Sequence, residues 1–510
     1  MAEPDDLTKD LNELLARGLR QFVVCGGARN APILEWISGL DDVDVYSHFE
    51  ERAAGFFALG RTMVTAEPCA VVVTSGTAVA ELLPAVIEAY YQGRPLIVIS
   101  ADRPPRFRGS GSPQAIEQQE ILGVYATNDL TFWQGQGPLH LNLCLEEEDQ
   151  LGQPGPILEP APPSPNFSLI EFLKWLRHEE FKGIVILLGA LDEKDREDVY
   201  YFCRDLGVPV LADAASGLRE VLAEQALVDG DKLLRENPPG KVLRIGAVPV
   251  GRFWRDLEDS PNIDVFSITA SGFSGLARES QVLTGPPGMI LRGAGEMEEV
   301  GDVLEHFGPS RRRANQLDEL LESLPEAEPA LIRELSLYAA QADSIFLGNS
   351  LPVREWNDFA QRIHPVPFVR ASRGANGIDG QLSTWLGASV EEGLAWAVVG
   401  DVTALYDLAA PHFLAQVVNE KRILIVINND GGRIFDRLPR LSKMSEPAKK
   451  WMRTSHGRSL KDWAKMWDCD YCEVRSREDC EKVESLTSPV TILEVFPNSE
   501  QTAQFWKYWK

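Results

Sequence analysis

Short apolar runs that end in Gly, Ser, Thr, Asp or Asn recur along this chain, several of them entering a stretch with helical spacing. Apolar runs without alternation suit strands buried on both faces, which occur in parallel sheets covered by helices. Residues 22–25, 70–73, 96–100, 184–188, 208–212, 242–245, 265–268, 344–347, 394–399 and 422–427 read as such strands. The fold class expected is α/β, each sheet mostly parallel and flanked by helices, with ligands at strand C-terminal ends. At roughly 150 residues per domain, a chain of 510 residues suggests about three domains. The proline-rich stretch 153–166 reads as a linker, and Glu326-Ala327-Glu328-Pro329 as a second boundary. The domains expected are residues 1–165, 167–328 and 330–510.

Composition narrows the partners. A net charge of −26 leaves no surface to neutralise a nucleic acid backbone, so an anion must be met by local clusters of arginine. Seven cysteines without a framework spacing fit a reducing cytoplasm. Cys469 and Cys472 form a C-x-x-C pair with no second pair nearby, which reads as packing rather than zinc or redox chemistry. The acidic N-terminus is not a signal peptide, and no 18-residue apolar run offers a membrane span.

Two strand ends carry the chemistry. Gly400-Asp401-Val402 opens a helix, whose first backbone N–H groups suit a diphosphate, and the next strand ends in Asn428-Asn429-Asp430-Gly431-Gly432. The carboxylate of Asp401 and the amide of Asn429 are hard oxygen donors from neighbouring strand ends. They could share one Mg²⁺, which keeps few protein ligands and takes the rest from phosphate and water; two ordinary loops are the other reading. Near the N-terminus, Gly26-Gly27-Ala28-Arg29-Asn30-Ala31-Pro32 is either a tight turn or a loop presenting Arg29 to a ligand. Glu50 and Glu51 stand where a strand gives way to a helix, a place that favours a charged carboxylate. Thr74-Ser75-Gly76-Thr77 offers hydroxyls and backbone N–H groups to a polar cofactor.

Gly-Asp followed by about two dozen residues and Asn-Asn resembles the thiamine diphosphate fingerprint, with Val402 in place of its second glycine. The motifs His48 to Gly60, Thr74 to Ala80, Ser100-Ala101-Asp102-Arg103-Pro104-Pro105, Arg373 to Gly380 and Gly400-Asp401 to Asn429 follow one another in register. Together they resemble the 2-succinyl-5-enolpyruvyl-6-hydroxy-3-cyclohexene-1-carboxylate synthases, thiamine-diphosphate enzymes of menaquinone biosynthesis. The resemblance spans nearly the whole chain and is weakest in the middle domain. It implies thiamine-diphosphate-binding folds for the first and third domains, a cytoplasmic homodimer or homotetramer, and a cofactor held between the first domain of one subunit and the third of its partner. It also implies decarboxylation of 2-oxoglutarate and 1,4-addition of the resulting carbanion to isochorismate.

By that resemblance Glu51 hydrogen-bonds the aminopyrimidine ring of the cofactor. Thr74, Ser75, Gly76, Thr77, Gly400, Ile434 and Phe435 line the cofactor, Ile378 supports its bent shape, and Asp401, Asn429 and the Gly431 carbonyl hold Mg²⁺ or Mn²⁺. Both substrates carry two carboxylates, which calls for guanidinium forks. Ser350, Arg354 and Arg373 are expected to hold the 2-oxoglutarate part, and Arg29, Arg103 and Gln114 to face isochorismate. Three further departures stand out: Glu50 where the family has aspartate, Ala28 where it has serine, and Val250-Gly251-Arg252-Phe253 where it has lysine. A different thiamine-diphosphate decarboxylase or carboligase, of the acetolactate synthase kind, is the competing reading; four arginines at substrate positions exceed what a pyruvate-type donor needs. A third is an inert or regulatory cofactor-binding protein, which the retained Glu51, Asp401 and Asn429 oppose.

Overall fold

The structure is a computed structural model that describes residues 4–146, 148–158, 167–177, 183–295, 297–417, 421–437 and 441–509. Three sheets follow one another along the chain, and every ladder between their strands is parallel. The first contains β1 (Gln21–Val24), β2 (Asp44–Ser47), β3 (Cys69–Val73), β4 (Leu96–Asp102) and β5 (Leu139–Cys144). The second contains β6 (Ile184–Leu188), β7 (Val210–Ala212), β8 (Lys241–Ile245), β9 (Asp264–Thr269) and β10 (Gln281–Thr284). The third contains β11 (Ser344–Leu347), β12 (Phe368–Arg370), β13 (Ala395–Gly400), β14 (Arg422–Ile427), β15 (Asp470–Val474) and β16 (Val490–Val495).

The sheet orders are β2-β1-β3-β4-β5, β7-β6-β8-β9-β10 and β12-β11-β13-β14-β16-β15. In all three, the first strand of the sheet lies between the second and the third. The chain therefore reverses direction across the sheet at that point, and the loops after the first and third strands leave neighbouring strand ends, where ligands of parallel sheets bind. Burial follows from the pleat. In the second sheet Ile184, Ile186, Leu188, Leu243 and Ile245 enter one core, while Val185, Leu187, Val242 and Val265 enter the core on the opposite face.

Five strands add to those read from the sequence, β5, β10, β12, β15 and β16, while β2 is the strand expected to give way to a helix at Glu50 and Glu51. In β5 leucines alternate with His140 and Asn142, polar residues that hide a buried strand. Ser100 Oγ lies 2.8 Å from His140 Nε2 and donates to Asn142 Oδ1 at 2.9 Å, so both polar side chains have a partner on the neighbouring strand.

The chain forms two compact units. One comprises Met1–Ser164, Gly374–Glu391 and Tyr406–Val418, the other Pro165–Arg373, Glu392–Leu405 and Asn419–Lys510. Residues 159–166 of the expected linker, with the first expected domain boundary, lie outside the described residues. All seven cysteines are free thiols, Cys469 buried and Cys472 half-buried.

Candidate active site

In the first unit, the turn after β2 separates two adjacent glutamates by their work. Glu50 is the helix cap: its backbone is extended, and its carboxylate accepts the Ala53 N–H at 3.2 Å and the Arg52 guanidinium at 3.3 Å. Glu51 is the first residue of the helix Glu51–Thr65, half-buried, and among the described residues its carboxylate makes no hydrogen bond or ion pair. Burial pushes the Cys25 thiol up, and the charges of Glu51 and Glu50 add to that, so Glu51 sits beside the C-terminal end of β1. His48 braces the turn. Its Nδ1 accepts the Glu50 N–H at 2.9 Å, so Nε2 carries the proton and donates to the Ala409 carbonyl at 3.1 Å. Burial lowers the His48 pKa to about 4, which keeps the ring neutral.

The loop after β1 meets the loop after β3. A Cβ on Gly27 would stand 2.6 Å from Thr74 Cβ, so only glycine lets the two turns touch. Ser75 Oγ is buried and has no partner among the described residues, Gly76 N–H donates to Gln118 Oε1 at 2.8 Å, and Thr77 is exposed at the start of a helical turn. Gly76 also packs against Gln114, whose φ of +58° is a left-handed conformation rarely adopted outside glycine and asparagine. Arg103 Nε donates to the Pro113 carbonyl at 2.9 Å, next to Gln114, and Arg29 Nη1 to the Leu145 carbonyl at 2.8 Å. Ile378 belongs to this unit too, half-buried in a segment that Glu88 anchors by accepting the N–H groups of Gly374, Ala375 and Asn376 at 2.7, 2.7 and 3.0 Å.

In the second unit, register builds the other half. Gly400 pairs with Ile427 across β13 and β14, so Asp401 and Asn428 leave the sheet side by side. Strand alternation then sends the two asparagines apart. Asn428 Nδ2 donates to the fully buried Glu494 at 2.6 Å, while Asn429 Nδ2 lies 3.1 Å from each oxygen of Glu328. Asp401 is 2% exposed; its Oδ2 accepts the Gly431 N–H at 2.8 Å and its Oδ1 the Val402 N–H at 2.6 Å. Burial raises the Asp401 carboxyl pKa, and the Gly431 and His456 hydrogen bonds oppose it.

Gly431 needs its φ of +109°, and a Cβ there would lie 2.1 Å from the Arg453 carbonyl oxygen. Ile434 and Phe435 follow in a half-buried turn, the Phe435 ring against Gly432. Asp401 and the loop 429–431 carry a desolvated carboxylate, an amide and the Gly431 carbonyl, which accepts the Arg433 N–H at 2.8 Å; these are hard oxygen donors of the kind a divalent cation takes while finishing its shell with phosphate and water. Among the described residues no three His, Cys, Asp or Glu side chains converge as a cage.

The loop after β11 holds acceptors for two arginines. Arg373 Nη1 donates to Asn349 Oδ1 at 3.0 Å, and Arg354 donates to the carbonyl of Ser350, whose φ is +76°. Burial lowers the Arg354 pKa, and the positive charges of Arg373 and Arg255 lower it further. Two guanidinium groups that lower one another's pKa in a partly desolvated place are the kind of pair to which an anion binds. Asp213, raised to about 7 by burial, is the carboxylate whose charge acts on both Arg373 and Arg354. Arg252, in the stretch where the family has lysine, is exposed and paired with Asp256 at 3.3 Å; Arg255 on the same helix is the one whose charge reaches Arg354.

Each candidate residue thus falls into one of two groups. Arg29, Glu51, Thr74 to Thr77, Arg103, Gln114 and Ile378 belong to the first unit; Ser350, Arg354, Arg373, Gly400, Asp401, Asn429, Gly431, Ile434 and Phe435 to the second. Three supporting residues carry no sequence signal. His456, 55 residues from Asp401, accepts the Arg458 N–H on Nδ1 and presents Nε2 to Asp401 Oδ2 at 3.1 Å. Glu328 reads as part of a linker in the sequence, and Glu88 as an ordinary helix residue.

Comparison with known proteins meets this geometry. Residues 6–121 match the family described as thiamine pyrophosphate enzyme, N-terminal TPP binding domain. The crystal structure of benzoylformate decarboxylase from Polynucleobacter necessarius superposes with a TM-score of 0.74 over 97% of this chain and 98% of that one, at 14% identity, which shows the fold. A 2-succinyl-5-enolpyruvyl-6-hydroxy-3-cyclohexene-1-carboxylate synthase from Akkermansia muciniphila is 47% identical over 96% of this chain and 95% of its own. The synthase of the same name from Bdellovibrio bacteriovorus is 36% identical over 98% and 97%. With identity at that level from end to end and the thiamine-diphosphate-enzyme fold beneath it, the chain belongs to the family of 2-succinyl-5-enolpyruvyl-6-hydroxy-3-cyclohexene-1-carboxylate synthases.

Proposed function

We infer that the protein converts 2-oxoglutarate and isochorismate to 2-succinyl-5-enolpyruvyl-6-hydroxy-3-cyclohexene-1-carboxylate with release of CO₂, in menaquinone biosynthesis. The observation that carries this reading is the 47% identity, over nearly the full length of both chains, with the Akkermansia muciniphila synthase. Thiamine diphosphate, when bound, supplies the electron sink for losing CO₂ from a 2-oxo acid.

The chain's own residues hold and orient. Glu51, which makes no hydrogen bond or ion pair among the described residues, would hold the aminopyrimidine ring by a hydrogen bond and take part in its proton transfers. Thr74 to Thr77 and Ile378 line that end of the cofactor. Gly400, Asp401, Asn429 and the Gly431 carbonyl face the diphosphate and one Mg²⁺ or Mn²⁺, with Ile434 and Phe435 as apolar wall. Ser350, Arg354 and Arg373 take the carboxylates of 2-oxoglutarate, while Arg29, Arg103 and Gln114 face isochorismate. The assembly is at least a homodimer, the two groups of residues coming from different chains at each site. No helix among the described residues is long and apolar enough to cross a membrane.

Incubating the protein with thiamine diphosphate, Mg²⁺, 2-oxoglutarate and isochorismate and weighing the product tests the reading. A succinyl-bearing cyclohexene with CO₂ released is expected. Consumption of pyruvate with 2-oxoglutarate untouched would replace it with a carboligase.

A further inference from the structure

We propose that Glu328 is a positioning residue of the cation site: it grips the Asn429 side chain by its amide nitrogen and thereby points the amide oxygen at the metal. The proposal rests on the reading of Asp401, Asn429 and Gly431 as the cation's ligands. An asparagine amide has an oxygen on one side and a nitrogen on the other, and only the oxygen can bind Mg²⁺. Something must select between the two orientations. Both carboxylate oxygens of Glu328 lie 3.1 Å from Asn429 Nδ2, and a carboxylate that accepts from the nitrogen leaves the oxygen directed away from itself.

Glu328 is held for that task. It is 2% exposed, it opens the helix Glu328–Ala339, and its own N–H donates to Thr502 Oγ1 at 3.0 Å. Its charge acts on the neighbouring Glu355, 1% exposed, which is ion-paired to Arg437; Arg437 in turn lies over the Trp506 ring at 3.8 Å. The backbone carbonyl of Asn429 is taken by Arg433 Nε at 2.8 Å, so the side-chain oxygen is the ligand this residue has left to give. Asn428, one residue earlier, shows the contrast: both of its acceptors for Nδ2, Glu494 Oε1 and the Arg458 carbonyl, draw it away from the loop.

The arrangement makes an unusual demand. Aspartate is ordinarily the stronger Mg²⁺ ligand, yet here Asn429→Asp would remove the N–H group that Glu328 accepts and set a carboxylate against a carboxylate. Glu328→Gln would restore a donor for it. The test titrates Mg²⁺ into protein saturated with thiamine diphosphate, following binding by calorimetry, with the melting temperature in Mg²⁺-free buffer as a check on folding. Asn429→Asp and Glu328→Met are each expected to weaken Mg²⁺ binding about tenfold or more, and Glu328→Gln alone by about threefold or less, because glutamine keeps one acceptor. The double variant Glu328→Gln, Asn429→Asp is expected to return to within about threefold of the unsubstituted protein.

Unchanged Mg²⁺ affinity in Asn429→Asp, or a double variant no tighter than Asn429→Asp, overturns the proposal. If Asn429→Asp does not fold, equal affinity in Glu328→Met and Glu328→Gln overturns it instead. Asp401→Ala separates the two levels. If it keeps Mg²⁺ affinity, the cation site is misplaced and the proposal falls with it; if it loses Mg²⁺ while the Glu328 variants behave alike, only the role of Glu328 falls.

Discussion

Glu50 and Glu51 are chemically identical neighbours with opposite fates. The carboxylate of the first accepts from the Ala53 N–H and from Arg52; that of the second makes no hydrogen bond or ion pair among the described residues. Glu51→Gln is expected to lower turnover by about 100-fold or more while thiamine diphosphate binding stays within a few-fold. Glu50→Gln should keep most of the activity and lose about 1 kcal/mol of stability with its cap. Turnover near that of the unsubstituted protein in Glu51→Gln would remove the assignment. Among the arginines, Arg373 is 8% exposed and adjoins the Arg354 charge. Arg373→Ala should raise the KM for 2-oxoglutarate by the equivalent of about 2 to 3 kcal/mol, the worth of a charged hydrogen bond in a buried site. An unchanged KM would put that guanidinium outside the pocket.

The helix Glu51–Thr65 and the helix Gln381–Ala388 cross at backbone distance within the first unit. A Cβ on Gly60 would sit 2.1 Å from the Thr384 carbonyl oxygen, and one on Gly387 2.1 Å from the Phe57 carbonyl oxygen. Arg61, 1% exposed, closes the crossing by reaching Gln21 at 2.7 Å and pairing with Glu391. Gly387→Ala should cost about 2 to 3 kcal/mol, seen as a lower melting temperature, since backbone on both sides cannot yield. No change would mean that the helices slide apart freely. The elements themselves were largely legible in the sequence because a buried parallel strand announces itself as an uninterrupted apolar run. Leu139–Cys144 was not legible, because His140 and Asn142, which hydrogen-bond Ser100 on the neighbouring strand, break its apolar run. The pairing of two helices more than 300 residues apart left no trace, for glycine in a helix reads locally only as a weak helix former.

At the scale of the whole molecule, the proposed dimer predicts complementation. Glu51→Gln and Asp401→Ala chains, each inactive alone, should regain up to about a quarter of full activity after mixing and subunit exchange, because half the dimers would be mixed and one of their two sites intact. No recovery after demonstrated exchange would place Glu51 and Asp401 of each site in one chain. The sequence by itself determined the α/β class and the strand ends that carry Glu51, Asp401 and Asn429. These are local properties: hydrophobic period, turn chemistry and the identity of side chains a few residues apart. Tertiary structure alone decided which of two glutamates caps and which stays free, which of two asparagines enters the core, and which distant residues brace the site. Glu328 reaches Asn429 across 101 residues and His456 reaches Asp401 across 55, contacts that no spacing encodes because they are set by the packing of elements around parallel sheets.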